Sequence, residues 1–153
     1  MISQPTVVTD LIADAARRAG DSPIEKGAAR VPIVIVEKKA SLDAEVKAEL
    51  AAEITDVLRT VIESPDDLIS VVFHDLPAES TFRAGVPTNE ALIFVHIRLG
   101  RSDEAVDRLL KAISDVWVRV TGESDDAIEL AVQQYPAKWV MRGGVRLPEP
   151  PVV

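Results

Sequence analysis

One phrase occurs twice in this chain, and it limits the folds available more than any other feature. Residues 32–38 (PIVIVEK) are apolar and β-branched, which reads as a strand. Ser41 offers a helix cap, and Val46, Leu50, Ile54, Val57 and Val61 then recur at the spacing of one helical face. Ser64-Pro65 stops that helix, and Leu68 to Asp75 (LISVVFHD) reads as a second strand. The order then repeats. Residues 91–98 (ALIFVHIR) read as a strand, and Ser102 caps a helix faced by Val106, Leu109, Ile113, Val116 and Val120. Gly122 ends it, and Ala127 to Gln134 (AIELAVQQ) reads as the closing strand.

The copies also agree at polar and turn positions, where a shared apolar rhythm would not force agreement. Ile54-Thr55-Asp56-Val57 matches Ile113-Ser114-Asp115-Val116, Asp66-Asp67 matches Asp125-Asp126, and Pro77 matches Pro136, all at an offset of 59. At the two capping serines the offset is 61. A repeat of this length points to a duplicated supersecondary unit. The expectation is an α+β fold: tandem β-α-β units forming a four-stranded sheet with two helices on one face. The other face of such a sheet is bare, and its apolar area is most cheaply covered by a second copy, so an oligomer is expected.

The divisions follow from this unit. Residues 1–31 precede the repeat, residues 32–148 hold it, and 149–153 read as a tail. Residues 9–19 (TDLIADAARRA) carry helix signals, with Thr9 as cap, Arg17 and Arg18 in the last turn and Gly20 as stop; residues 20–31 read as a linker. Residues 76–90 read as a polar connection, and residues 136–148 hold Trp139 and a Met141-Arg142-Gly143-Gly144 turn.

Composition removes several function classes. The net charge of −8 argues against a broad nucleic-acid surface. There is no cysteine, which excludes disulfides and thiolate chemistry. No apolar run reaches the ~18–20 residues of a membrane span, and the first residues lack a secretion-signal layout, so a cytoplasmic protein is expected. His74 and His96 are the only histidines and have no further ligand at metal-site spacing. Both read as structural or surface residues, Trp117 and Trp139 as core or interface, and the paired aspartates as turn formers.

Four stretches in order carry a family resemblance: PIVIV from residue 32, VFHDLPAESTFRAGV (72–86), IFVHIRLGRS (93–102) and GGVRLP (143–148). With the duplicated β-α-β unit they make residues 32–148 resemble the tautomerase superfamily, and within it the cis-3-chloroacrylic acid dehalogenase group. The resemblance implies a homotrimer, a catalytic proline at the mature N-terminus, and arginines that hold a substrate carboxylate. The reactions it implies are tautomerisation, hydrolytic dehalogenation or decarboxylation of small unsaturated or 2-oxo acids. It implies no metal or organic cofactor.

Carried onto this chain, the resemblance places Pro32 at the catalytic position and Arg98 and Arg101 at the carboxylate-binding pair. A free N-terminal proline is a secondary amine; apolar burial and nearby guanidiniums lower its basicity toward neutral pH, where it can move a proton. Paired arginines suit a carboxylate by their planar fork. The other reading of Pro32 is a strand-opening proline. Three positions depart from the dehalogenases: Leu58 replaces a helix histidine, Ala131 a tyrosine of the last core strand, and Arg142 a water-activating glutamate. Dehalogenation, which needs a base for water, is therefore not expected. Arg142 adds positive charge if it enters the pocket and is otherwise a solvated loop residue.

At residue 32 the proline nitrogen is an amide without basicity. Three routes are open: removal of residues 1–31, a true start at Val31 through a GTG codon followed by methionine loss, or retention of the extension with a silent proline. The leading expectation is a tautomerase (an isomerase) acting on a small carboxylate-bearing acid. The alternatives are a non-catalytic protein of this fold that binds a small acid or partner, and an enzyme that does not use the proline amine.

Overall fold

The computed structural model describes residues 32–149. The expected helix at 9–19, the linker, and all of the tail but Glu149 lie outside the described residues. β1 (Ile33–Lys39) leads into α1 (Ala44–Val61), and β2 (Ser70–Leu76) closes the first unit. A short hairpin, β3 (Phe82–Arg83) and β4 (Val86–Pro87), connects it to the second. That unit is β5 (Ala91–Arg98), α2 (Asp103–Thr121) and β6 (Ile128–Tyr135), followed by a second hairpin, β7 (Met141–Arg142) and β8 (Val145–Arg146).

The main sheet has the order β2-β1-β5-β6. β1 runs parallel to β2 and β5 parallel to β6, while the central pair β1–β5 is antiparallel. Val34 lies opposite Val95, and Val36 opposite Ile93. Under the repeat offset Val34 corresponds to Ile93 and Val36 to Val95, so exchanging the two halves reproduces the same pairing. Ile35 and Phe94 are equivalent residues that face each other, and a pseudo-twofold axis passes through that pair.

Alternation along the strands separates two faces. Val34, Val36, Ile93, Val95 and Ile97 are buried beneath both helices, against Leu50, Ile54 and Leu58 of α1 and Leu109, Ile113 and Trp117 of α2. The opposite face stays open, with Ile33, Val72 and Phe94 each more than a third exposed. Among the described residues Trp117 is the largest fully buried side chain, and its indole Nε1 has no hydrogen-bond partner there. Lys38 Nζ lies 5.8 Å from the Trp117 ring centroid and 2.9 Å from Glu123 Oε1, so the end of β1 is tied to the residue just beyond α2.

Several boundaries differ from the sequence expectation. α1 is capped at Asp43 with no side-chain hydrogen bond, whereas Ser102 caps α2 by accepting from the Ala105 N–H at 3.2 Å. Ser41 donates instead to Asp75 Oδ2 at 2.9 Å, across to β2. This explains why the repeat offset changes at the two serines: they occupy different places in the fold. Each aspartate pair opens a single 3-10 turn, Asp66–Leu68 and Asp125–Ala127, as a turn role requires. Those turns delay β2 and β6 to Ser70 and Ile128.

The hairpins extend the repeat beyond what the apolar pattern revealed. Arg83 pairs with Val86 in one and Arg142 with Val145 in the other, at the same offset of 59. The turns are Ala84-Gly85 and Gly143-Gly144, all with positive φ, which is the I′ geometry favoured between twisted strands. Glycine bears that geometry freely; Ala84, at φ 48, bears it at a cost of about 1–2 kcal/mol.

Candidate functional site

The pseudo-twofold axis makes the two ends of the sheet equivalent in backbone and leaves their chemistry to the side chains. At one end lie the start of β1 and the ends of β5 and β6. Ile33 pairs with His96, so Pro32 stands one residue further on, alongside Ile97, with Arg98 next along β5. Pro32 is fully buried, and its carbonyl accepts from the Ser70 N–H at 3.1 Å, which fixes the head of β1 to that of β2. The equivalent of Pro32 at the other end is Ala91, and the equivalent of Arg98 is Lys39, also buried.

Arg98 and Arg101 are both buried, at 3% and 7% exposure. Long cations are this enclosed only when held by neighbours. Arg98 Nη1 donates to the Pro148 carbonyl, and both arginines are engaged. The turn between them is drawn along β6: Leu99 N–H donates to the Tyr135 carbonyl at 2.7 Å, and Arg101 N–H to Gln134 Oε1 at 3.3 Å. Arg142 is exposed and donates to the Asp67 carbonyl at 2.7 Å, linking the second hairpin to the turn before β2. Its equivalent Arg83 pairs with Glu90 at 2.8 Å and Glu129 at 3.2 Å.

A cavity of about 290 Å³ opens at this end, lined by Ile33, His96, Ile97, Tyr135, Trp139 and Val140. Pro32, Arg98, Arg101 and Arg142 are not among its walls; Pro32 and Arg98 each adjoin one. A larger surface depression of about 520 Å³ lies on α1 around Thr55 and Arg59, away from all of these residues. Leu58 is fully buried within the helix-side core, and Ala131 is exposed on the open face opposite Phe94. Among the described residues no three His, Asp or Glu side chains gather in a metal-binding group, and no helix is long and apolar enough to cross a membrane.

Sequence reasoning passed over the cavity's polar residues. His96 Nδ1 and Tyr135 Oη are 2.8 Å apart, their rings stacked with centroids at 5.7 Å, and Tyr135 Oη donates to Gln133 Oε1 at 2.8 Å. Trp139, 71% exposed, stands at the rim rather than in a core. A signal was present in the repeat itself: where the first copy has Glu37 and Leu76, the second has His96 and Tyr135. Chemistry that breaks a repeat marks the half that departed from the shared scaffold.

Comparison with known proteins agrees with the duplication. The family model described as Tautomerase enzyme matches twice, over residues 32–91 and 92–149. The crystal structure of native Ps01740 is similar at 31% identity and a TM-score of 0.69, covering 72% of this chain and 99% of that one. N1, a member of the cis-3-chloroacrylic acid dehalogenase family, is similar at 28% and 0.74, covering 77% and 85%. Pt0534 inactivated by 2-oxo-3-pentynoate is similar at 25% and 0.69, covering 74% and 94%. No curated protein matches by sequence.

Proposed function

Starting from the fact that the chain belongs to the tautomerase family, we propose that it moves a proton between oxygen and carbon of a small carboxylate-bearing 2-oxo or unsaturated acid. The observation that carries this reading is that Pro32 and Arg98 lie at the end of the sheet where the cavity opens, each next in the chain to a residue of its wall, Ile33 and Ile97. With its nitrogen free, Pro32 is the general base, and the buried surroundings and neighbouring guanidiniums favour the neutral amine. Arg98 and Arg101 hold the carboxylate and stabilise enolate charge, Arg98 exchanging the Pro148 carbonyl for a substrate oxygen. Arg142, on the hairpin that follows the cavity residue Val140, adds positive potential. The relative inactivated by a 2-oxo acid supports the substrate class. Three copies pack through the open apolar face, no metal or organic cofactor takes part, and the reaction belongs to the cytoplasm.

A chain beginning at Pro32 is the direct test, assayed for ketonisation of phenylenolpyruvate. Truncation is expected to raise turnover by about 10²-fold or more over the full chain, the scale of general acid–base catalysis. Pro32→Ala in the truncated chain removes that gain. Equal turnover with and without the extension rejects Pro32 as the base.

Dehalogenation is not proposed, because Leu58, Ala131 and Arg142 offer no base for water.

A further inference from the structure

The cavity's own polar group does not need a free proline. His96, Gln133, Arg98 and Tyr135 form a block on the open face, His96 opposite Gln133 and Arg98 opposite Tyr135. Tyr135 has one hydroxyl proton, and it goes to Gln133 Oε1. The Tyr135 oxygen therefore accepts at 2.8 Å from His96, which puts the ring proton on Nδ1. Nε2 is left as the basic nitrogen. It has no hydrogen-bond partner among the described residues and is not sealed in the interior. The ring that carries it forms part of the cavity wall, among Ile33, Ile97 and Val140.

We infer that His96 is a second acid–base centre of this site, acting on an enol 2-oxo acid in the full chain while Pro32 is still an amide. The inference rests on the substrate class proposed above but not on the proline. Nε2 takes the proton from the enol hydroxyl as the oxygen lone pair forms the C=O bond and the C=C electrons move to C3. The imidazolium then returns that proton to C3. One proton moves, no bond to another reactant forms, and nothing is oxidised. Tyr135 is a positioning residue: its oxygen faces Nδ1–H in both states, fixes the tautomer and supports the transient positive charge. Arg98, on the same face two residues along, is the cation nearest in the strand for the substrate carboxylate.

The test uses the full 153-residue chain with phenylenolpyruvate. Turnover above the buffer rate is expected, and His96→Gln should lower kcat by about 10²-fold or more, with KM changed by less than about threefold. His96→Asn guards against a folding artefact, because its amide N–H can replace the Nδ1 donor to Tyr135 while supplying no base; it should fold as the parent does and lose activity equally. Tyr135→Phe should lower kcat by about 10-fold, and 15N spectra of the His96 ring should lose the Nδ1–H signature. A full chain no faster than buffer, or a His96→Asn chain with unchanged kcat, overturns the inference. The two readings separate cleanly: turnover only in the chain beginning at Pro32 rejects His96 and keeps the proline, whereas turnover in the full chain that His96→Asn abolishes keeps His96 whatever truncation does.

Discussion

At the scale of single residues, position in the fold decides what a substitution can mean. Leu58, the position where the sequence resemblance implies a histidine, is fully buried under the sheet. Leu58→His is expected to destabilise the fold by about 2–4 kcal/mol, combining lost apolar burial with an imidazole that has no partner, and to confer no dehalogenation. Urea denaturation and halide release check both halves. Asp75 shows the opposite situation, an exposed residue with strong partners. Hydrogen bonds from Lys47 and then Ser41 hold its carboxyl below the ordinary carboxylate range. The unfolded chain therefore binds that proton first on acidification, so the stabilisation is present above the unfolded value and is lost as pH falls through the folded one. Asp75→Asn should flatten the acid limb of stability between pH ~4 and lower values, read as thermal midpoints across pH. The sequence could not separate these cases, because burial of Leu58 and the partnership of Asp75 both depend on which strand lies beside β1.

Among elements, the two halves share a blueprint and differ in how their helices begin. Ser102 holds the Ala105 N–H, whereas Asp43 caps α1 through its backbone alone. Ser102→Ala is expected to cost about 1 kcal/mol and Asp43→Ala about half of that or less, the residual effect of Asp43 being its charge at the helix start. Chemical denaturation of the two variants beside the parent measures the difference. The helices and core strands were legible in the sequence because their apolar spacing is an intrinsic property of each segment. The hairpins were not, since a strand of two residues has no period to read, and only the repeat offset, carried past Pro77 and Pro136, shows that Arg83 and Arg142 occupy one structural place. The site was legible in part for the same reason. Pro32, Arg98 and Arg101 came from resemblance, and the structure gathers the first two at one end. His96 and Tyr135 are far apart in sequence and meet only because β5 and β6 run parallel in a particular register.

For the whole molecule, the open sheet face is the feature a single chain leaves unresolved. The helices cover one side completely, yet Ile33 and Val72 are each 38% exposed and Phe94 36% on the other, a cluster of large apolar groups that a lone chain rarely leaves in water. Phe94 is the most informative of these, because it sits on the pseudo-twofold axis opposite Ile35 and so belongs equally to both halves. A lysine there places one ammonium at the centre of the face without touching the helix-side core. Phe94→Lys is therefore expected to keep the helical content and much of the thermal stability of the isolated chain, but to convert the proposed trimer to a monomer. Light scattering after size exclusion reads the mass, and circular dichroism reads the fold. The position also lies on the same strand face as His96 and Arg98, so a site completed by a neighbouring copy should lose turnover on dissociation, whereas a site complete within one chain should keep it. A trimer that survives Phe94→Lys would show that the copies meet elsewhere, at the exposed hairpins carrying Phe82, Val86, Met141 and Val145, and would leave the open face to a different occupant.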